Sequence, residues 1–217
     1  MLRIAALNVA IGAVQILRDV SLELPTGSMA GLIGRNGAGK TTLMKSLMGL
    51  LKASSGTVNF DGIELLETPT HARTRLGIGY MPEDRRLVPE LTVEENVLVP
   101  AWAARVPDPR ARLEKVYALI PEVREFASRK GLQLSGGQQK LAALARALVC
   151  GTRLLLLDEP FEGVAPALAQ RLAEVIAGLK KEGMTVILSE CNLQHSQRMV
   201  DRIVAIDRGT ITAKEQP

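Results

Sequence analysis

Two cysteines, Cys150 and Cys191, are all that the 217 residues contain, and they lack metal-ligand spacing. That count argues against a disulfide framework and against a zinc site, and makes a reducing cytosol the expected home. Aromatic residues are equally scarce, at 3% against 47% apolar residues in all, so a core has to be packed from Leu, Val, Ile, Ala and Met. No apolar run approaches the roughly 18 to 20 residues of a bilayer-spanning helix, and the start lacks the n-region and h-region of a signal peptide. Any membrane role is therefore expected to come through a partner. Charge of one sign is modest too. The 27 Lys and Arg against 23 Asp and Glu leave +4, without a Lys/Arg block. Such a balance suits phosphate ligands or an anionic membrane surface and is too weak to argue for nucleic acid. Internal repeats and low-complexity tracts are absent.

What is present has an α/β rhythm. The stretch from "MLRIAALNVA" to "VSLELPTG" alternates apolar and polar residues, as half-buried antiparallel strands do, with a turn at Pro25 and Gly27. "SMAGLIG" is expected to be a short buried strand running into a glycine loop, followed by a helix carrying Leu43, Leu47 and Leu50. "GTVNFDG" and "GIGYMPE" form a second β-like region. In "LTVEENV", Thr92 and Glu95 have capping-box spacing, and from there to about residue 151 the pattern is helical. Leu113, Val116, Tyr117 and Ile120 mark one apolar face; Leu141, Leu144, Ala145 and Leu148 mark another, closed by Gly151. Pro100, Pro107, Pro109 and Pro121 are expected to break this region into pieces. It amounts to a helical subdomain at about 84–150, inserted in the α/β core of a single domain spanning 1–217. "RLLLLDEP" then has the continuous apolar character of a parallel strand covered on both faces. A helix with Leu168, Leu172, Val175 and Leu179 follows, then the strand "TVILSE", then "DRIVAID" with a hairpin at Arg208 and Gly209. Alternating strands and helices predict a mainly parallel sheet, with an antiparallel β subdomain at the N-terminus.

Three stretches carry chemistry. "GRNGAGKTT", residues 34–42, contains G-x-x-x-x-G-K-[ST] between a strand and a helix, the layout of a phosphate loop. Gly34, Arg35, Asn36, Gly37, Ala38 and Gly39 would turn backbone N–H groups toward phosphate oxygens, with Thr42 in the first helical turn. Lys40 would reach the terminal phosphates, and the Thr41 hydroxyl can ligate Mg²⁺. In "LLLLDEP" an acidic pair stands at the carboxyl end of a buried strand, where open α/β sheets bind ligands. Asp158 can hold a metal through its water shell, and Glu159 can polarise the water that attacks a γ-phosphate. The third stretch, "LSGGQQK", is a second glycine-rich helix entrance. Ser135 can cap that helix or face an anion, and Gly136 and Gly137 allow close approach of backbone N–H to a phosphate. The phosphate loop already surrounds most of one nucleotide, so a second donor set could complete the cage only from outside. A nucleotide shared between two subunits is the economical expectation.

Together, in this order and spacing, the three stretches resemble the ATP-binding subunit of an ABC transporter, over nearly the whole chain; LSGGQ is the specific element. The resemblance implies a P-loop NTPase fold, the cofactors ATP and Mg²⁺, and a head-to-tail dimer with a second ATPase subunit. In that dimer each LSGGQ faces the γ-phosphate held by the other protomer. It also implies transmembrane permease subunits contacted through the loop around "MPEDRR", a substrate-binding protein acting indirectly, and a place on the cytoplasmic face of the membrane.

Several positions depart from the general pattern. Glu83 stands where a glutamine usually meets Mg²⁺ and the attacking water; it can still ligate a metal but adds negative charge. Cys191 occupies the place of the switch histidine that contacts the γ-phosphate, with His195 four residues later. Ile11 aligns with the aromatic that stacks on adenine, and Ala165 with an aspartate of the dimer-contact loop. These departures, with "LTVEENV", "DEPFEGVAP" and "SECN", resemble the second ATPase of branched-chain amino-acid importers and related amide or urea importers. Two other functions stay open: a catalytically weak subunit that leaves turnover to a partner ATPase, and a soluble ABC ATPase unrelated to transport.

Overall fold

The computed structural model describes residues 1–192 and 194–215. β1 (Leu2–Ile11) and β2 (Val14–Leu24) pair antiparallel around Gly12, whose φ of +60° suits the tight turn. β3 (Met29–Ile33) runs through the glycine loop into α1 (Lys40–Leu47). Gly49, at φ +73°, ends that helix by donating its N–H to the Ser46 carbonyl. Leu50 therefore falls beyond the helix and is 53% exposed, where its spacing had predicted a place in the helix.

The "GTVNFDG" and "GIGYMPE" strands part company. β4 (Ser55–Phe60) pairs with β1 and with the short β5 (Ile63–Glu64) to complete a four-stranded antiparallel sheet. After α2 (Thr70–Arg73), β6 (Ile78–Met81) joins the other sheet instead. α3 (Val93–Ala103) opens with a formed Thr92–Glu95 capping box. It continues through Pro100, which the sequence had predicted to be a break. Ala104 still donates to the Pro100 carbonyl, so the turn closes around a residue that lacks only its own donor. The other prolines act as punctuation: Pro109 begins α4 (Pro109–Leu119) behind the Asp108 cap, and Pro121 begins α5 (Pro121–Glu125). α6 (Gly136–Cys150) follows. Its second half presses on β6 so closely that a Cβ at Gly79 would lie 2.2 Å from the Ala147 carbonyl.

β7 (Leu154–Asp158), α7 (Pro166–Lys181), β8 (Thr185–Glu190) and β9 (Arg202–Asp207) resume the alternation. β10 (Thr210–Glu215) turns back antiparallel on β9 after Arg208 and Gly209, both at positive φ, as a two-residue hairpin loop requires. The order β10-β9-β3-β8-β7-β6 is parallel from β9 to β6. The period of two along β7 explains its unbroken apolar run. Leu154 and Leu156 enter a core shared with α1 and the antiparallel sheet, while Leu155 and Leu157 enter another under α6 and α7. β8 lies between β3 and β7, so the segment after its carboxyl end separates the glycine loop from the acidic pair.

Candidate functional site

Gly34 leaves β3 by donating to the Glu190 carbonyl of β8 at 3.2 Å. A Cβ there would lie 2.4 Å from the Ile206 carbonyl, so only glycine lets the loop turn against β9. Gly37 and Gly39 take φ of +81° and +112°, which aims successive N–H groups inward as in an anion-binding nest. The N-terminus of α1 has no side-chain cap, leaving its donors and dipole open to an anion. Residues 36–42 wall a cavity of about 440 Å³ together with Ile16, Glu83 and Glu159.

Lys40 Nζ donates to the Gly34 carbonyl at 2.5 Å and to the Arg35 carbonyl at 3.3 Å. It also pairs with Glu159 Oε1 at 3.1 Å, with both side chains largely buried. The pair spans the width of β8. Asp158 is fully buried and has both oxygens engaged, Oδ1 accepting from the Ser189 hydroxyl at 2.6 Å and Oδ2 from the Tyr80 hydroxyl at 3.3 Å. Burial, with the Asp158 carboxylate next, pushes the Tyr80 hydroxyl far above its usual range, so it stays a donor. Glu159 sits at φ +47°, its N–H donating to the Ser189 carbonyl and to Ser189 Oγ. At Glu83, burial first, then the carboxylates of Glu162 and Asp158, raise the pKa.

Cys191 follows β8 and touches both sides of the site. Its Sγ lies 2.9 Å from Asn36 Oδ1 and 3.3 Å from Glu159 Oε1, and accepts from Lys40 Nζ at 3.6 Å. Burial and then Glu159 push the thiol up, so it is neutral at ordinary pH. His195 instead stacks at 5.3 Å on Phe161 and joins Cys191, Glu159 and Glu190 in an adjoining recess.

Of the residues singled out from sequence, Asn36 to Thr42, Glu83 and Glu159 share the cavity, with Asp158 behind it and Cys191 beside it. Ile11 does not line it: it stands 49% exposed next to the hairpin turn. Ile16 of β2 is the wall there, because residues 16 and 17 lie against the loop, with Leu17 Cδ2 2.8 Å from a Cβ at Gly39. Ser135, Gly136 and Gly137 are also outside the cavity of their own chain. Ser135 Oγ accepts from the Gln138 N–H at 3.3 Å, and Gln138 Oε1 accepts from the Ser135 N–H at 3.0 Å, forming a capping box. Gly137 has a packing reason of its own, since a Cβ would meet Leu168 of α7 at 2.7 Å. Tyr80, Ser189 and Ile16 went unnoticed in the sequence: Tyr80 and Ser189 lie 78 and 31 residues from the Asp158 carboxylate they serve, and Ile16 stands in a strand with no local motif.

The donor set fits a nucleoside triphosphate with Mg²⁺. An open helix terminus, a glycine nest and a lysine suit phosphates. The carboxylates and Thr41 form no cage of three or more His, Cys, Asp or Glu side chains among the described residues, as expected for a cation held mainly by water and phosphate oxygens.

A family model described as ABC transporter matches residues 17–162, most of the chain and both halves of this cavity. The chain belongs to the ABC transporter family. Like its relatives it is an ATP-binding subunit with ATPase chemistry. It is 39% identical over 200 residues to the high-affinity branched-chain amino acid transport ATP-binding protein BraG of Pseudomonas aeruginosa, covering 92% of this chain and 86% of that protein. It is 33% identical over 205 residues to the lipopolysaccharide export system ATP-binding protein LptB of Haemophilus influenzae, covering 94% and 85%. Among solved structures, a dimeric bacterial ABC transporter cassette superposes with a TM-score of 0.89 at 25% identity, covering 100% of this chain and 98% of that one. The ABC fold thus accounts for the expected P-loop core and N-terminal antiparallel sheet.

Proposed function

We propose that this ABC subunit hydrolyses ATP to power an importer of branched-chain amino acids or related small amides. It works as a head-to-tail dimer, with a second copy or a related ATPase, under permease subunits on the cytoplasmic face of the membrane. A substrate-binding protein would act indirectly, and nucleic acid has no part. The observation that carries the hydrolytic reading is the Lys40–Glu159 contact of 3.1 Å across the phosphate cavity, which joins the loop cation to the carboxylate best placed to orient water. The import reading is supported by the names of the branched-chain relatives and by Glu83 and Cys191; the LptB likeness marks the family as mixed.

In this mechanism the N–H groups of residues 37–42 and Lys40 hold the triphosphate, and Glu159 accepts the proton of the attacking water. Ser189 and Tyr80 hold the Asp158 carboxyl group in place. Thr41, Asp158 and Glu83 would hold Mg²⁺, which when bound would neutralise charge developing on the phosphates. Ser135 to Gly137 of the opposing subunit complete the cage, a capped helix end offering its remaining N–H groups. The permease docks at a second cavity of about 320 Å³, whose walls include Met48, Leu50, Pro82, Pro100 and Arg86 of the "MPEDRR" loop. It is largely apolar and distant in character from the phosphate site, as suits a protein contact rather than chemistry. Among the described residues no helix is long and apolar enough to cross a membrane.

Glu159→Gln tests the reading. ATP binding is expected to persist, turnover to fall at least about 100-fold, and a closed dimer to accumulate in size-exclusion chromatography with ATP. Undiminished turnover removes Glu159 from that role. Substrate class is checked by purifying the native membrane complex and measuring amino-acid-stimulated ATPase activity; stimulation by none of the branched-chain amino acids or small amides rejects it. The neutral Cys191 thiol against Asn36 and Glu159 favours a second reading, a subunit of low intrinsic turnover. Faster hydrolysis by Cys191→His than by the wild-type chain alone would support it.

A further inference from the structure

Lys140, the fifth residue of α6, is 1% exposed. An ammonium taken out of water costs several kcal/mol unless something compensates it, and the direct partner here is a main-chain carbonyl: Nζ donates to Glu159 O at 2.6 Å. Burial and then Arg85 lower the lysine pKa, while the carboxylates of Glu162, Glu83 and Glu159 favour its charge. The carbonyl it holds belongs to a strained residue. A left-handed conformation at a non-glycine residue costs about 1 to 3 kcal/mol and persists only where its surroundings hold it. At Glu159 the N–H is held by Ser189 from β8, and the carbonyl by Lys140 and by the Glu162 N–H at 3.2 Å. Ser189 and Glu162 belong to the strand end and its own turn; Lys140 alone brings the helix that begins at Ser135. It stands four residues, about one turn, after Gly136.

We propose that Lys140 is a positioning residue for hydrolysis. By gripping the Glu159 carbonyl it sets the direction of the Glu159 carboxylate toward the phosphate cavity and ties that direction to the position of the α6 entrance. Movement of residues 135–137 against a neighbouring subunit's nucleotide is thereby transmitted to the chain's own water-orienting group. The proposal rests on Glu159 acting as the base. A displacement of about 1 Å in such a group can cost about 100-fold in rate, so even a partial release is measurable.

The test uses Lys140→Met in the full chain, with kcat, KM, the Kd of a fluorescent ATP analogue and the urea unfolding midpoint. Methionine fills a similar volume without the charge. The expected result is a loss of about 10-fold or more in kcat, with KM and Kd within about twofold and stability unchanged or raised. In a Glu159→Gln background, followed by single-turnover hydrolysis, Lys140→Met should bring no further loss, because both changes act on one group. Wild-type kcat, a loss confined to KM and Kd, or an equal loss in both backgrounds overturns the proposal. Should Lys140→Met not fold, Lys140→Gln, whose N–H donor falls one atom short, is expected to lose about threefold or more in kcat; an unchanged kcat there overturns it too. Normal turnover in Lys140→Met beside an inactive Glu159→Gln refutes this proposal alone, whereas an active Glu159→Gln refutes the base assignment itself.

Discussion

Glu190→Gln should change how stability depends on pH more than any other single substitution near the site. Glu190 ends β8 at 4% exposure. Its Oε2 accepts from the Ser196 hydroxyl, and its Oε1 has no partner. Burial pushes its pKa up from 4.5 to about 7; the Ser196 bond opposes that shift, and the nearby Glu159 carboxylate adds to it. Between those pH values the folded protein keeps a proton that the unfolded chain has released, so each step up in pH favours unfolding. The penalty is absent below about pH 4.5 and complete above about pH 7. At about 1.4 kcal/mol per pH unit the span amounts to about 3 kcal/mol. Glutamine cannot ionise and keeps an acceptor for Ser196. The stability difference, variant minus wild type, should therefore rise by about 3 kcal/mol from about pH 5 to about pH 8. In a chain of this size that is a change of about 6 to 12 °C in relative Tm. Urea titrations of the nucleotide-free protein at several pH values measure it. Parallel stability curves for the two proteins would refute the reasoning, since they would mean that Glu190 ionises as readily in the fold as in the unfolded chain.

Two further substitutions separate local from long-range roles. Ser135→Ala removes the capping acceptor of Gln138 and should cost about 1 kcal/mol in urea unfolding; contact with a neighbouring subunit's phosphate predicts in addition a turnover loss of at least about 10-fold. Stability loss with normal turnover would confine Ser135 to capping. Gly34→Ala places a Cβ 2.4 Å from the Ile206 carbonyl, and is expected to cost about 2 kcal/mol or more together with ATP binding. Gly37→Ala meets only the strain of φ +81° in open space and should cost about 1 kcal/mol; equal losses at the two glycines would contradict the packing argument.

The Lys40–Glu159 pair also bears on how the resting site is held. Two largely buried charges 3.1 Å apart compensate each other, and removing either one leaves the other unpaired in a poorly hydrated place. Cys191, neutral and in contact with both, can neither replace Lys40 nor neutralise Glu159. The end of β8 beside the pair therefore carries a weak hydrogen-bonding group.

The phosphate loop, the acidic strand end and the strand-helix alternation were legible because each is written in contiguous residues. Glycines at fixed offsets, a period of two or an apolar run depend on local backbone geometry alone. The same holds for the Thr92–Glu95 box, for the hairpin at Arg208 and Gly209, and for prolines 109 and 121 at helix starts. Local rules failed where packing outweighs them. Pro100 is tolerated inside α3, and β4 and β6 separate into different sheets. Which groups meet around Glu159 was decided by tertiary structure. The order β3-β8-β7 sets Cys191 against both lysine and glutamate, and brings Ser189 and Tyr80 onto Asp158. The packing of α6 carries Lys140 to a carbonyl 19 residues away. Burial and hydrogen bonding depend on distances through space, and no spacing along one chain encodes them without the sheet order that closes the gap.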